Sequence, residues 1–165
     1  MVALEGYDIR FSKEEDLIHL RRWLSSPEIE RFFPYEDSKE REQASLSWIG
    51  FSRYKASLTA LVNEVPCGIA TLFLMPYKKV SHHALTQIVI DPFYQRKGIG
   101  RSLLRNIKHL AKSRFCLDFI DIEVMASNPI IALLHQEGFK EVFRQADFFQ
   151  TVLGYEDRVF LEADL

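Results

Sequence analysis

The sequence predicts an α/β (α+β) fold: a mixed, mostly antiparallel sheet of about six or seven strands, holding one parallel pair and flanked by helices. Three observations lead there. Short apolar stretches, alternating or β-branched, recur at 7–11, 57–62, 69–74, 82–90, 119–125, beyond 139 and at 158–162. The connections at 63–68 and 75–79 carry Pro or Gly, as tight turns between antiparallel neighbours do. Ile99, Leu103, Ile107, Leu110 and Ala111 recur at helical spacing between two of the strands, and a strand–helix–strand link makes those strands parallel through a right-handed crossover.

A chain of 165 residues suits one domain, here 1–165, with a sizeable core. Its 47% hydrophobic content and 13 Phe argue against disorder. A net charge of −2 and a pI near 6.2 set aside nucleic acid as the main partner, because a phosphate backbone demands a basic surface. No apolar run approaches the roughly 20 residues of a membrane span, so no membrane partner is expected. Residues 1–8 lack the basic and apolar regions of a signal peptide. Cys67 and Cys116 have neither a disulfide framework nor a metal-ligand spacing, and no histidine stands at a spacing that would make either a nucleophile. No metal is expected, and a reducing cytoplasm is the predicted location. Oligomeric state is left open, a homodimer included.

In order, Tyr7 to Phe11 alternate as a first strand. Ser12-Lys13-Glu14-Glu15 has capping-box spacing for a helix whose buried face is Leu17, Leu20 and Leu24, ended by Ser25-Ser26-Pro27. Ser38 is placed to cap another helix running through Trp48. Between residues 28 and 42 six acids (Glu28, Glu30, Glu36, Asp37, Glu40, Glu42) face three bases (Arg31, Lys39, Arg41). This is either a solvated surface or an acidic wall that would draw a cationic amine. Asn128, Pro129 and Gly138 bound a short helix over 129–137, as cap, first position and stop.

The most informative stretch is Gln95-Arg96-Lys97-Gly98-Ile99-Gly100, where the strand ending at Ile90 hands over to the helix. The first turn of a helix has unpaired N–H groups and partial positive charge. Glycine lets a ligand approach the backbone, and Arg96, Lys97 and Arg101 add full charges. The turn is therefore built for a phosphate or pyrophosphate. A P-loop would need Gly-x-x-x-x-Gly-Lys-Ser/Thr, and a dinucleotide fingerprint a third glycine where Leu103 stands.

Ile88-Val89-Ile90-Asp91-Pro92-Phe93-Tyr94-Gln95-Arg96-Lys97-Gly98-Ile99-Gly100, with the amphipathic helix after it, closely resembles the acetyl-CoA motif of the GNAT superfamily of N-acetyltransferases, Gln/Arg-x-x-Gly-x-Gly. The order of the remaining elements resembles the spermidine and ribosomal-protein N-acetyltransferase group. The resemblance implies the GNAT fold, with its parallel pair at the acetyl-CoA site, and acetyl-CoA as co-substrate. Ile88, Val89, Ile90, Gln95, Arg96, Lys97, Gly98, Ile99, Gly100, Arg101 and Ser102 would bind it, and a backbone N–H near Val89 would meet the oxyanion. Asn128 to Phe139 resembles a second motif, Asn-x-x-Ala-x-x-Leu-Tyr/His-x-x-x-Gly-Phe, in which Asn contacts CoA and Tyr or His lies beside the sulfur. The copy is shifted by one residue: counted from Asn128, His135 takes the Tyr/His place, and counted back from Gly138, Leu134 does.

Amide formation from a thioester needs positioning, a base for the amine and a proton for the leaving thiolate. His135 is the candidate donor to the thiolate. Glu36 and His83 are candidate bases, alongside His82 and Glu123, with none singled out. The expected function is acetyl transfer to a primary amine of a small molecule or a protein N-terminus, a polyamine being narrowly preferred on the acidic stretch alone. The alternative is a non-catalytic module that binds CoA or acyl-CoA.

Overall fold

The computed structural model describes residues 3–165; Met1 and Val2, the first two residues of the predicted 1–165 domain, lie outside the described residues. Among the described residues seven strands form one sheet in the order β1-β2-β3-β4-β5-β7-β6. They are β1 (Tyr7–Phe11), β2 (Ser57–Val62), β3 (Val65–Leu74), β4 (His83–Ile90), β5 (Phe119–Met125), β6 (Lys140–Thr151) and β7 (Gly154–Asp164). Every neighbouring pair is antiparallel except β4 and β5. The helices are α1 (Leu17–Leu24), α2 (Pro27–Glu30), α3 (Ser38–Gly50), α4 (Ile99–Ser113) and α5 (Ile130–Gln136).

Alternation along the strands feeds two cores. On one face Ala84, Ile88, Ile120, Ile122 and Leu161 pack against Ile99, Leu103, Leu104 and Ile107 of α4. On the other, Ile69 and Val89 pack against Leu20, Trp23 and Leu24 of α1, Ile29 and Trp48. Among the described residues no helix is long and apolar enough to cross a membrane.

The β4–β5 pair is the feature that matters for the site. Its register runs only from His83↔Phe119 to Leu85↔Asp121. Beyond it β4 stays paired with β3 as far as Ile90, and β5 stays paired with β7 as far as Met125. The two strands therefore part like a fork, and each shows an open edge to the gap. Asp91 N–H donates to Cys67 O at 2.9 Å, which sets the phase of the β3–β4 ladder. Antiparallel alternation then turns Val89 toward β3, and Ile88 and Ile90, on either side of it, toward the gap.

Several local readings change in the fold. Ser12 does not cap a helix: its hydroxyl is buried against Ser57 and Thr59, 2.8 Å from each. A 3-10 turn at Glu14–Asp16 precedes α1 instead. Asp37, not Ser38, caps α3, its Oδ1 accepting from Glu40 N–H at 2.8 Å. The β2–β3 turn is only Asn63-Glu64, both with positive φ, so β3 begins at Val65 and takes in Pro66 to Gly68. Likewise β7 begins at Gly154, earlier than 158.

Candidate active site

A groove of about 740 Å3 fills the fork. Its floor is Ile88, Val89 and Ile90, one wall is the turn into α4, the other is α5, and Phe32 and Phe33 after α2 close the end. The turn is anchored from behind: Asp91 accepts from Phe93 N–H (2.9 Å), Trp23 Nε1 (2.9 Å) and Arg22 (3.1 Å), tying α1 to it. Gln95 Nε2 donates to Ile90 O at 3.2 Å, which caps the last carbonyl of β4 at the open edge. Arg96 and Gly98 both take positive φ, 63° and 86°. Among the described residues the N–H groups of Arg96, Lys97 and Gly98 have no partner, and those of the first turn of α4 lack intrahelical partners by construction. A run of free donors at a helix start is an anion cradle.

Of the residues predicted to bind the cofactor, Ile88, Val89, Ile90, Gln95, Arg96, Gly98, Gly100, Arg101, Ser102 and Asn128 line this groove. Three do not. Ile99 is buried in the core under α4. Lys97 extends over the Tyr94 and Phe93 rings, 5.5 and 5.9 Å from their centroids. His135 is exposed, its Nδ1 3.1 Å from Phe139 O. Leu134, the alternative to His135, is wholly buried in the core. The reason is helical phase: Pro129, Ala132, Leu133 and Gln136 form the stripe that faces the groove, and His135 lies off it. Asn128 Oδ1 also accepts from Ile130 N–H at 3.0 Å, so it caps α5 while lining the groove.

Arg105 and Asn106 line the groove without having been predicted. They stand one turn beyond Arg101 and Ser102, and that i, i+4 relation is a sequence signal that would have found them. The Glu137 carboxylate, almost buried, holds Arg101 Nε at 2.9 Å and Arg105 Nε at 2.8 Å. Arg96 has no ion-pair partner among the described residues, which leaves its charge for a ligand.

A second, smaller cavity of about 60 Å3 adjoins the groove, sharing Phe32, Phe33, Ile88, Asn128 and Ile130 with it. Its further lining includes Tyr35, Gln87, Glu123, Met125 and Phe149. Glu123 brings the one carboxylate, and Arg158 stands 3.4 Å from it. Tyr35 belongs to an aromatic group, with Phe33 at 5.8 Å and Trp48 donating to its hydroxyl at 3.4 Å. Burial pushes the Tyr35 phenol above its usual range, so it stays protonated. Burial, and the Asp91 charge after it, push the Cys67 thiol up to about 12, which removes it as a nucleophile.

The other candidate bases stand apart from both cavities. Glu36 is exposed at the start of α3. His83 stacks on Phe119 at 4.8 Å, at the closed end of the fork. Of the acidic stretch only Glu28 lines the groove; Glu30 pairs with Arg41 at 3.5 Å, Glu42 pairs with Arg21, and Asp37 is the helix cap.

A family described as "Acetyltransferase (GNAT) family" matches residues 18–139, the span that holds both walls of the groove. The chain belongs to the GNAT acetyltransferase family. Among curated relatives, "[Ribosomal protein bS18]-alanine N-acetyltransferase" of Salmonella typhimurium is 35% identical over 78 residues, covering 47% of this chain and 52% of that protein. The protein of the same name from Escherichia coli K12 is 33% identical over 94 residues, covering 50% of this chain and 63% of that one. The chain thus spans less than two thirds of either relative. The fold matches that of yncA from Salmonella typhimurium, solved with its cofactor acetyl-CoA, at a TM-score of 0.80 and 18% identity, over 98% of this chain and 95% of that one.

Proposed function

We propose that this GNAT chain transfers an acetyl group from acetyl-CoA to a primary amine, and that the amine is a peptide N-terminus. One observation carries the reading: a single groove has an anion cradle at one end, an open strand edge along its floor, and a carboxylate in the small cavity that adjoins it. Bound there, acetyl-CoA would supply an acyl group already activated as a thioester. Arg96, Arg101, Ser102 and the N–H groups from Arg96 to Gly100 would hold its diphosphate, with Gln95 and Asn128 beside it. The Ile88 and Ile90 N–H groups would serve as strand-like donors to the pantetheine and as the electrostatic partner of the carbonyl oxygen. Holding amine and carbonyl in near-attack geometry can contribute roughly 7–11 kcal/mol.

Glu123 is the proposed base, acting directly or through a water; as the C–N bond forms and the C–S bond breaks, the proton it takes from the amine passes, through water, to the leaving CoA thiolate. Neutralising a lysine-like amine of pKa about 10.4 at pH 7 costs roughly 4.6 kcal/mol, whereas an α-amine of pKa about 8 costs only about 1.4 kcal/mol. A single carboxylate suits the second, smaller task. His135, Glu36 and His83 take no part in this reading.

A peptide N-terminus is supported over a polyamine by two facts. The relatives named above are named for an alanine of a ribosomal protein, and most of the acidic stretch is bonded elsewhere. The small cavity suits a compact first residue. A reducing, cytoplasmic setting belongs to the same proposal and is supported by two free thiols, Cys116 being exposed. Free-thiol release from acetyl-CoA, measured with peptides starting in Ala or Ser, with spermidine and with an aminoglycoside, tests it. Peptide-dependent release is expected. CoA binding with no release on any amine would instead favour the non-catalytic module.

A further inference from the structure

We propose that His83, Asp121 and Glu162 form a binding site for a divalent transition-metal ion of the Zn2+ or Co2+ type, placed where β4 and β5 begin to part. The three residues come from three adjacent strands, β4, β5 and β7. Asp121 pairs directly with Glu162 across the β5–β7 ladder and with Leu85 across the β4–β5 ladder, and His83 stands two residues before Leu85 on the same face. One ligand atom from each residue lies within 4.8 Å of the other two. His83 Nδ1 is 3.1 Å from Asp121 Oδ2 and 3.8 Å from Glu162 Oε2. Ligands bonded to one ion at about 2.0–2.1 Å with tetrahedral angles are separated by roughly 3.3 Å, between those two values.

Two features ask for a cation. Like charges directly opposite each other on neighbouring strands repel, and one proton on His83 Nδ1 can serve only one of the two carboxylates. In addition, Asp121 has a side chain only 8% exposed, and its Oδ1 has no hydrogen-bond partner among the described residues. A buried carboxylate oxygen without a donor is costly. An ion bound through both oxygens of this carboxylate would give Oδ1 its partner. No Lys or Arg side chain pairs with the two carboxylates: Lys140 stands opposite Glu162 on β6 but forms no ion pair among the described residues, and Asp164, opposite Phe119, adds a further acidic group.

The ligand atoms are also held in place. The His83 ring stacks on Phe119 with planes 21° apart, which fixes the direction of Nδ1. One imidazole and two carboxylates, with no thiolate, are an N/O set suited to Zn2+, Co2+ and similar ions. Three protein ligands leave a position for water. Leu85↔Asp121 is the last β4–β5 pair, so an ion here would join the three strands at the vertex from which the groove opens.

The test uses the full chain, treated with chelator, dialysed and titrated calorimetrically with ZnCl2; addition of CoCl2 is followed by visible absorption. One Zn2+ per chain is expected, with cobalt bands of low-symmetry coordination. His83→Gln and Asp121→Asn are each expected to weaken Zn2+ at least tenfold, while His109→Gln, on the exposed side of α4, leaves it unchanged. Circular dichroism of the ion-free proteins checks folding, and the partly exposed His83 keeps the test decisive if Asp121→Asn fails to fold. Absence of Zn2+ or Co2+ binding, or binding that survives His83→Gln unchanged, overturns the proposal. Neither outcome bears on acetyl transfer.

Discussion

Replacing Glu123 with Gln is the sharpest test of the chemistry. The substitution preserves shape and removes only the ability to take a proton. A positioned general base contributes about 100- to 10,000-fold, so kcat should fall by that factor, equivalent to about 2.7–5.4 kcal/mol. The structural cost should be small. The ion pair with Arg158 is 3.4 Å long and its side chains are about a quarter exposed, 23% and 27%. Pairs of that kind are worth roughly 0.2–1 kcal/mol, and Gln still offers Arg158 an acceptor. Free-thiol release at saturating acetyl-CoA and peptide measures kcat, and calorimetry with CoA checks that cofactor affinity is unchanged. The pH dependence adds a second readout. As pH rises past the α-amine pKa of about 8, the free amine supplies itself and the deficit of the variant should shrink. A variant within threefold of the parent at pH 7, with thiol release intact, would refute the assignment of Glu123.

The remaining predictions concern the scaffold and the groove wall. Burial alone would raise the Asp16 carboxyl, but Arg10 (2.8 Å to each oxygen), Lys13 N–H (2.9 Å) and the Thr59 hydroxyl (2.8 Å) together hold it below the usual carboxylate range. Because its folded pKa is lowered, its stabilisation is present above the unfolded value and lost as pH falls through the folded one; Asp16→Asn should lower stability by about 3 kcal/mol at pH 7. The deficit should close below about pH 4, as urea melts at several pH values would show. Gly68→Ala would put a Cβ 2.7 Å from Ile90 Cδ1 and 3.1 Å from Val89 O. Overpacking of about 1–3 kcal/mol is expected, read by thermal melting, together with weaker CoA binding because Ile90 lines the groove. Leu103→Ala, at a wholly buried position beneath the turn, should cost about 2–5 kcal/mol by the same measurement.

The parts of the fold and site that were legible in the sequence are those specified locally. The turn from Gln95 to Gly100 and the helix after it announce themselves through glycines, charges and a 3.6-residue stripe, all within one short stretch. Asn128 and Gly138 likewise mark both ends of α5. What escaped depends on long-range pairing or exact phase. His135 and Leu134 were the two readings of a motif shifted by one residue, and the helix turns both away from the groove. Ser12 has capping spacing, yet two hydroxyls from β2 take its side chain into the sheet. The acidic stretch is conspicuous as composition, but only the three-dimensional placement of Arg21 and Arg41 reveals which of its charges are already paired. Glu123 was one of several candidate bases until the fork placed it in the smaller cavity. His83, Asp121 and Glu162 meet only because three strands register side by side, so no spacing along the chain brings them together.

The central claim is that the main chain and cations from Arg96 to Arg101 hold the diphosphate of CoA. Calorimetric titration of CoA into the parent chain and an Arg96→Glu variant tests it most directly. One CoA per chain is predicted, with affinity that falls as salt rises and drops at least tenfold on charge reversal, since a charge-assisted hydrogen bond is worth about 1.5–3 kcal/mol. No heat from the parent, or equal affinity for parent and variant, would contradict the account.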